Sequence, residues 1–176
     1  MIFLKSLYVI FFIGLVYLYA GSFRNEEIII PEEAIRFRII ANSDSEYDQL
    51  IKYKVKEKLD NLLGNLLLDV DNIIEVENII SENINKIDLS VKETLEKEKY
   101  LKIHTVSFGK NYFPAKELYG VTYEEGQYKS LVVTLGNGLG DNWWCVLFPP
   151  LCLIEAEEID EIEYRLYVKE LIEKYF

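Results

Sequence analysis

Histidine occurs once in this 176-residue chain, as His104, cysteine twice and methionine once. A single histidine excludes the HExxH zinc motif, paired imidazole ligands and the usual zinc deaminase or hydrolase arrangements. Basic residues are scarce too, 19 Lys and Arg against 30 Asp and Glu, for a net charge of −11. A surface of that sign repels phosphate, so counterion release cannot drive nucleic-acid binding, and anionic lipid headgroups are disfavoured for the same reason. No Asp is followed by Thr-Gly or Ser-Gly, so an aspartic-protease half-site is missing. Asp44, Glu46 and Asp48 alternate as a calcium loop begins, but Gln49 stands where that loop needs Gly and Val55 where it needs a bidentate Glu. Helix capping accounts better for these carboxylates. Gly136, Gly138 and Gly140 lead into Asp141-Asn142-Trp143-Trp144, with neither the lysine nor the helix of a phosphate loop. They read as turn residues with positive φ. No internal repeat is apparent, and no cofactor is implied.

Half of the chain is hydrophobic, enough to build a core, and the natural count is one domain. The apolar residues are unevenly spread: from Ser6 to Phe23 none is charged. As a helix rising about 1.5 Å per residue, that run spans roughly 27 Å, close to the ~30 Å hydrocarbon core of a bilayer. Residues 1–23 therefore read as a signal peptide or membrane anchor. Lys5 before the run and Arg24, Glu26 and Glu27 after it place the N-terminus inside and the remainder outside. Ala20-Gly21-Ser22 offers a cleavage point. Residues 24–33 form an acidic connector ending at Ile28-Ile29-Ile30-Pro31, and 34–176 a single exported domain. Outside the cytoplasm Cys145 and Cys152 either pair as a disulfide or remain two buried thiols.

Ile35, Phe37 and Ile39 alternate with Arg36 and Arg38, the period of a strand with one buried face. Ser43 and Glu46 are spaced as a capping box for a helix carrying Tyr47, Ile51, Val55, Leu59, Leu62 and Leu66 on its dry side, with Lys52, Lys54, Lys56 and Lys58 mostly on the wet side. A second helical pattern runs through Ile73, Val76, Ile80, Ile84 and Ile87. A capping box at Ser90 and Glu93 predicts a break near Leu89. Leu101 and Ile103, then Val106 and Phe108 on the opposite phase, predict a bulged or doubly buried strand. Residues 119–123 and 128–135 read as a hairpin about Glu124-Glu125-Gly126, and 143–148 as the strand after the Asn137-Gly138 turn. From Glu161 to Val168 charge alternates with apolar residues, which predicts a strand followed by a short helix. The expected fold is α+β: an antiparallel or mixed sheet with a two- to three-helix arm packed on it, plus the N-terminal helix.

His104 with Cys145 is the one available nucleophile pair, the basis of a reading as an exported cell-wall or thiol-dependent enzyme. A membrane-anchored structural protein is a third reading. The segment from Gly140 to Cys152 is the most unusual: both tryptophans stand adjacent in it, on opposite faces of any strand, before a Pro149-Pro150 turn. An exposed Trp there suits a protein contact.

Two stretches together carry a family resemblance. Ile35-Arg36-Phe37-Arg38-Ile39-Ile40-Ala41-Asn42-Ser43-Asp44-Ser45, followed by Asp48, Gln49, Lys52 and Lys54, is similar to the opening of the stage II sporulation protein R family. Gly136 to Cys152, with Asn142-Trp143-Trp144-Cys145-Val146-Leu147-Phe148-Pro149-Pro150-Leu151-Cys152, resembles its most distinctive block, and Tyr112-Phe113-Pro114-Ala115 matches more loosely. The resemblance spans roughly 34–154. It implies a protein exported across the forespore membrane into the space between the two cells. There it triggers a membrane-embedded aspartic protease of the mother cell to cleave the precursor of sigma factor E, acting as the signal and not as an enzyme. On that reading Trp143, Trp144 and Phe148 contact the receptor, and Asn42, Asp44 and Asn142 shape the contact.

Overall fold

The computed structural model describes residues 28–118, 120–153 and 161–176. The expected export helix and its cleavage point lie outside these residues. Among the described residues no helix is long and apolar enough to cross a membrane.

The main sheet has four strands. β2 (Ile35–Ile40) lies at its centre, parallel to β6 (Gly126–Leu135) and antiparallel to β7 (Asn142–Phe148), while β3 (His104–Phe113) closes the far edge against β6. The alternation in β2 works as the sequence predicts: Ile35, Phe37 and Ile39 are buried under the helices, and Arg36 and Arg38 take the opposite face. Three helices cover the first face, α1 (Glu46–Leu66), α2 (Ile73–Glu82) and α3 (Ile84–Lys97). Ile51, Val55, Leu59 and Leu63 of α1, Val76 and Ile80 of α2, and Ile87, Val91 and Leu95 of α3 meet the sheet in one core.

The caps differ from expectation. Ser45, not Ser43, caps α1 by accepting from the Asp48 amide at 3.2 Å. The helical arm breaks at Asn83, and Ser90 sits buried inside α3. Leu101 and Ile103 precede β3, so the phase change comes from where the strand begins and needs no bulge.

A second sheet joins β1 (Ile28–Ile29), β5 (Val121–Tyr123) and β4 (Lys116–Leu118) in that order. The expected hairpin about Glu124-Glu125-Gly126 does not form. β6 pairs with β3 from His104↔Leu135 to Phe113↔Gly126 and with β2 on its other side, leaving no free edge for β5. Within the stretch read as a connector, Ile28 and Ile29 instead pair in parallel with Val121 and Thr122.

The C-terminal segment is a helix, α4 (Glu161–Tyr175), in place of the expected strand. Tyr164, Val168 and Leu171 are buried with Ile28, Ile30, Val121, Tyr123 and Val146 in a second core, while Ile162 and Leu166 face solvent. The 3.6 period thus served one narrow face, and two exposed apolar residues disguised it. At the end of α4, the Tyr175 ring packs edge-on to Phe148, centroids 4.9 Å apart. Cys145 and Cys152 are joined by a disulfide that ties β7 to the 3-10 turn Leu151–Leu153. Closing so short a loop contributes roughly 2–3 kcal/mol in the chain-entropy model.

Candidate functional site

Because β2 lies between β6 and β7, the turn that leaves it at Ala41 emerges at the same end of the sheet as the turn joining β6 to β7. The two turns interlock. Asn42 Oδ1 accepts from the Asn137 amide at 3.0 Å, the Asn42 carbonyl from Leu139 N at 3.2 Å and the Ala41 carbonyl from Gly140 N at 2.9 Å. Asp44 Oδ1 accepts from Asp141 N at 2.6 Å. Gly136 and Gly138 adopt φ of 56° and 63°, where side chains are disfavoured. A Cβ on Gly140 would overlap the backbone of Ser43.

Asp48, in the first turn of α1, is the hub beneath this junction and only 3% exposed. Its Oδ2 accepts from Asn42 Nδ2 at 2.7 Å and Ser43 Oγ at 2.5 Å, its Oδ1 from Tyr100 OH at 2.7 Å, and Lys102 Nζ lies 3.3 Å away. Burial by itself would raise its pKa. The donors from Ser43, Asn42, Tyr100 and Lys102 outweigh that and hold the carboxyl far below the ordinary range. Burial, and then the same contact with Asp48, push the Tyr100 phenol well above its usual value. Lys52, expected on the wet side of α1, is buried: its Nζ donates to Gln49 Oε1 at 2.5 Å and to the Asp141 carbonyl at 3.2 Å. Burial lowers its pKa, opposed by the charges of Asp141 and Asp44.

This arrangement dictates what faces outward. α3 ends with Lys99 at φ 55° and a bond from Tyr100 N to the Leu95 carbonyl of 2.8 Å, the geometry of a Schellman turn. Tyr100 and Lys102 then turn in towards Asp48, which leaves Leu101 97% and Ile103 75% exposed. Ile103 accepts from Gly136 N at 2.7 Å, joining this segment to the β6–β7 turn, where Leu139 is 79% exposed. Three large apolar side chains thus stand free on a rim whose backbone is pinned by a buried polar network. Such networks are costly when half satisfied and rigid when complete.

The expected contact residues fall into two groups. Asn142 and Asp44 are exposed on this rim, and Asn42 is buried beneath it as a structural bridge. Trp143 and Trp144 are half-buried on opposite faces of β7, Trp143 edge-on to Phe37 at 5.3 Å and Trp144 edge-on to Phe113 at 5.2 Å. Phe148 is buried against α4, away from any open surface. Asp48, Tyr100 and Lys102 were missed, because a first-turn Asp looks like any capping acid. Leu101 and Ile103 were missed because they were assigned to a strand.

The Cys145–His104 pair does not exist. Cys145 is in the disulfide, and β7 and β3 are opposite edges of the sheet, three strand spacings or about 14 Å apart. His104 Nε2 instead meets Asp88 Oδ1 at 3.1 Å. Among the described residues, no three His, Cys, Asp or Glu are grouped to hold a metal.

A model of the family described as Stage II sporulation protein R matches residues 31–158. Stage II sporulation protein R of Bacillus subtilis (strain 168) is 40% identical over 159 residues, covering 88% of this chain and 70% of that protein. No solved structure matches.

Proposed function

Because the chain belongs to the stage II sporulation protein R family, with a role in sporulation, we propose that it is an exported signal. It crosses the forespore membrane and activates a membrane-embedded aspartic protease of the mother cell, which then matures the sigma-E precursor. Activation is allosteric: the domain binds the receptor's extracytoplasmic side and favours its active arrangement by differential affinity for the two states. The observation that carries this reading is the rim. It is built from both blocks of the family resemblance, stiffened by Asp48, and presents Leu101, Ile103, Leu139 and Asn142 as a protein-contact surface.

The test is reconstitution of the chain with the candidate protease and the sigma-factor precursor, scoring cleavage. Leu101→Asp and Leu139→Asp replace exposed side chains and should leave the circular dichroism spectrum unchanged. Each is expected to cut precursor cleavage at least tenfold, the loss of one hot-spot contact. Full cleavage with both substitutions combined would overturn the reading.

A further inference from the structure

The main sheet's second face carries arginines at the centre of a cationic cluster that no ion pair among the described residues neutralises. Arg36 and Arg38 stand there, and Lys116 of β4 reaches in from the second sheet beside Trp144, in a chain of net charge −11. Across the sheet, Arg38 lies between Trp144 of β7 and Val132 of β6, with Ser107 of β3 beyond. Its guanidinium sits 4.7 Å from the Phe113 centroid, and Lys116 Nζ lies 5.3 Å from that of Trp144. Arg36 is 1% exposed, stacked 3.3 Å above the Tyr128 ring, and its Nη2 donates weakly to the Glu124 carbonyl at 3.4 Å. Arg36 Nε and Nη1 and Arg38 Nε are buried with no acceptor among the described residues. No ion pair among the described residues involves any of the three cations.

Buried donors without acceptors are expensive, and guanidinium forks match carboxylates in geometry as well as charge. At the Arg38 end, where Lys116 is exposed and Arg38 and Trp144 are half-buried, the face is therefore complementary to a chain of carboxylates. We propose that Arg38, Lys116 and Trp144 bind an acidic peptide segment of a partner protein. One carboxylate meets the Arg38 fork, a second meets Lys116, and the backbone lies along Trp144. Arg36 acts beneath them as a fixed positive charge. The net charge of −11 disfavours an anionic bilayer, which would meet a whole face, over a narrow strand of carboxylates that meets only this cluster.

The test uses the full chain in phosphatidylcholine nanodiscs and a fluorescein-labelled hexaglutamate peptide, read by anisotropy, with hexaglutamine as control. Hexaglutamate is expected to bind and hexaglutamine not. Arg38→Gln and Lys116→Gln should each weaken binding about tenfold, the scale of one charge-assisted contact. Lys92→Gln, at an exposed cation on α3, should leave it unchanged. If Arg38→Gln fails to fold, Arg38→Lys replaces it: charge is kept and the fork lost, so binding weakens while the salt dependence persists. Absent binding, or equal binding by the wild type and both glutamine variants, overturns the proposal. So does loss, in those variants, of binding to phosphatidylglycerol vesicles without any peptide binding, which would make this a lipid site. Self-association abolished by the same substitutions would make the occupant a second copy and equally overturn it. The readout involves no sigma factor, so its failure and that of the signalling role are separately visible.

Discussion

At the scale of single residues, Asp48 sets both the stability and the acid response of the rim. Its folded pKa lies well below its unfolded value, so the folded state holds its proton less tightly. The stabilisation is complete above the ordinary carboxylate pKa of about 4 and is lost as pH falls below it. Asp48→Asn removes the charge that Lys102, Ser43 and Tyr100 address, and should cost roughly 2–3 kcal/mol at neutral pH. In urea melts repeated from pH 7 to pH 3, the wild type should lose stability over the acid range and the variant should lose less. Parallel curves would show that Asp48 is not the titrating group. The capping role of this segment was legible, since a Ser and Asp cluster ahead of an apolar period announces a helix start. The hub was not, because its partners Tyr100 and Lys102 lie more than fifty positions away and only the fold brings them in.

At the scale of elements, what the sequence disclosed depended on how many faces each element buries. β2 buries hydrophobic residues on one face and holds arginines on the other, so its period was plain. α4 buries a narrow stripe against a three-stranded sheet and leaves Ile162 and Leu166 in water, so its charges alternated by coincidence and mimicked a strand. In the helical arm the pattern from Ile73 to Ile87 was helical as read, but the break expected near Leu89 falls at Asn83, because Ser90 and Glu93 imitate a cap. The Ser90 hydroxyl is buried in α3 with no partner among the described residues. Ser90→Ala therefore removes an unsatisfied group and improves helix propensity, and should stabilise by about 0.5–1 kcal/mol. A lowered melting temperature would mean that the hydroxyl has an acceptor.

At the scale of the whole molecule, two cores share one sheet. The first lies under α1, α2 and α3, and the second joins α4 to the small sheet, meeting the first where Phe148 touches Tyr175. The sequence pointed to one domain with helices on a sheet but not to the second sheet. Its strands are two or three residues long, too short to show a period, and β1 and β5 are more than ninety positions apart. Val168→Ala empties part of the second core at a cost of about 2 kcal/mol. In hydrogen exchange, amides of Val121–Tyr123 should lose protection before those of Leu131–Leu135. Equal loss in both would show the two cores to be one cooperative unit.

The parallel pairing of β2 with β6 joins residues about ninety positions apart, Arg36 with Ser130 among them, and β7 must follow before the Asn42 turn finds its glycines. Loop closure of that length makes folding late and leaves no local shortcut. A chain threaded through a translocation channel N-terminus first would keep β2 waiting, unpaired, until nearly all of it had passed. On the export proposed above, the rim would assemble only on the far side, after delivery, and a message interrupted in transit would have no legible surface.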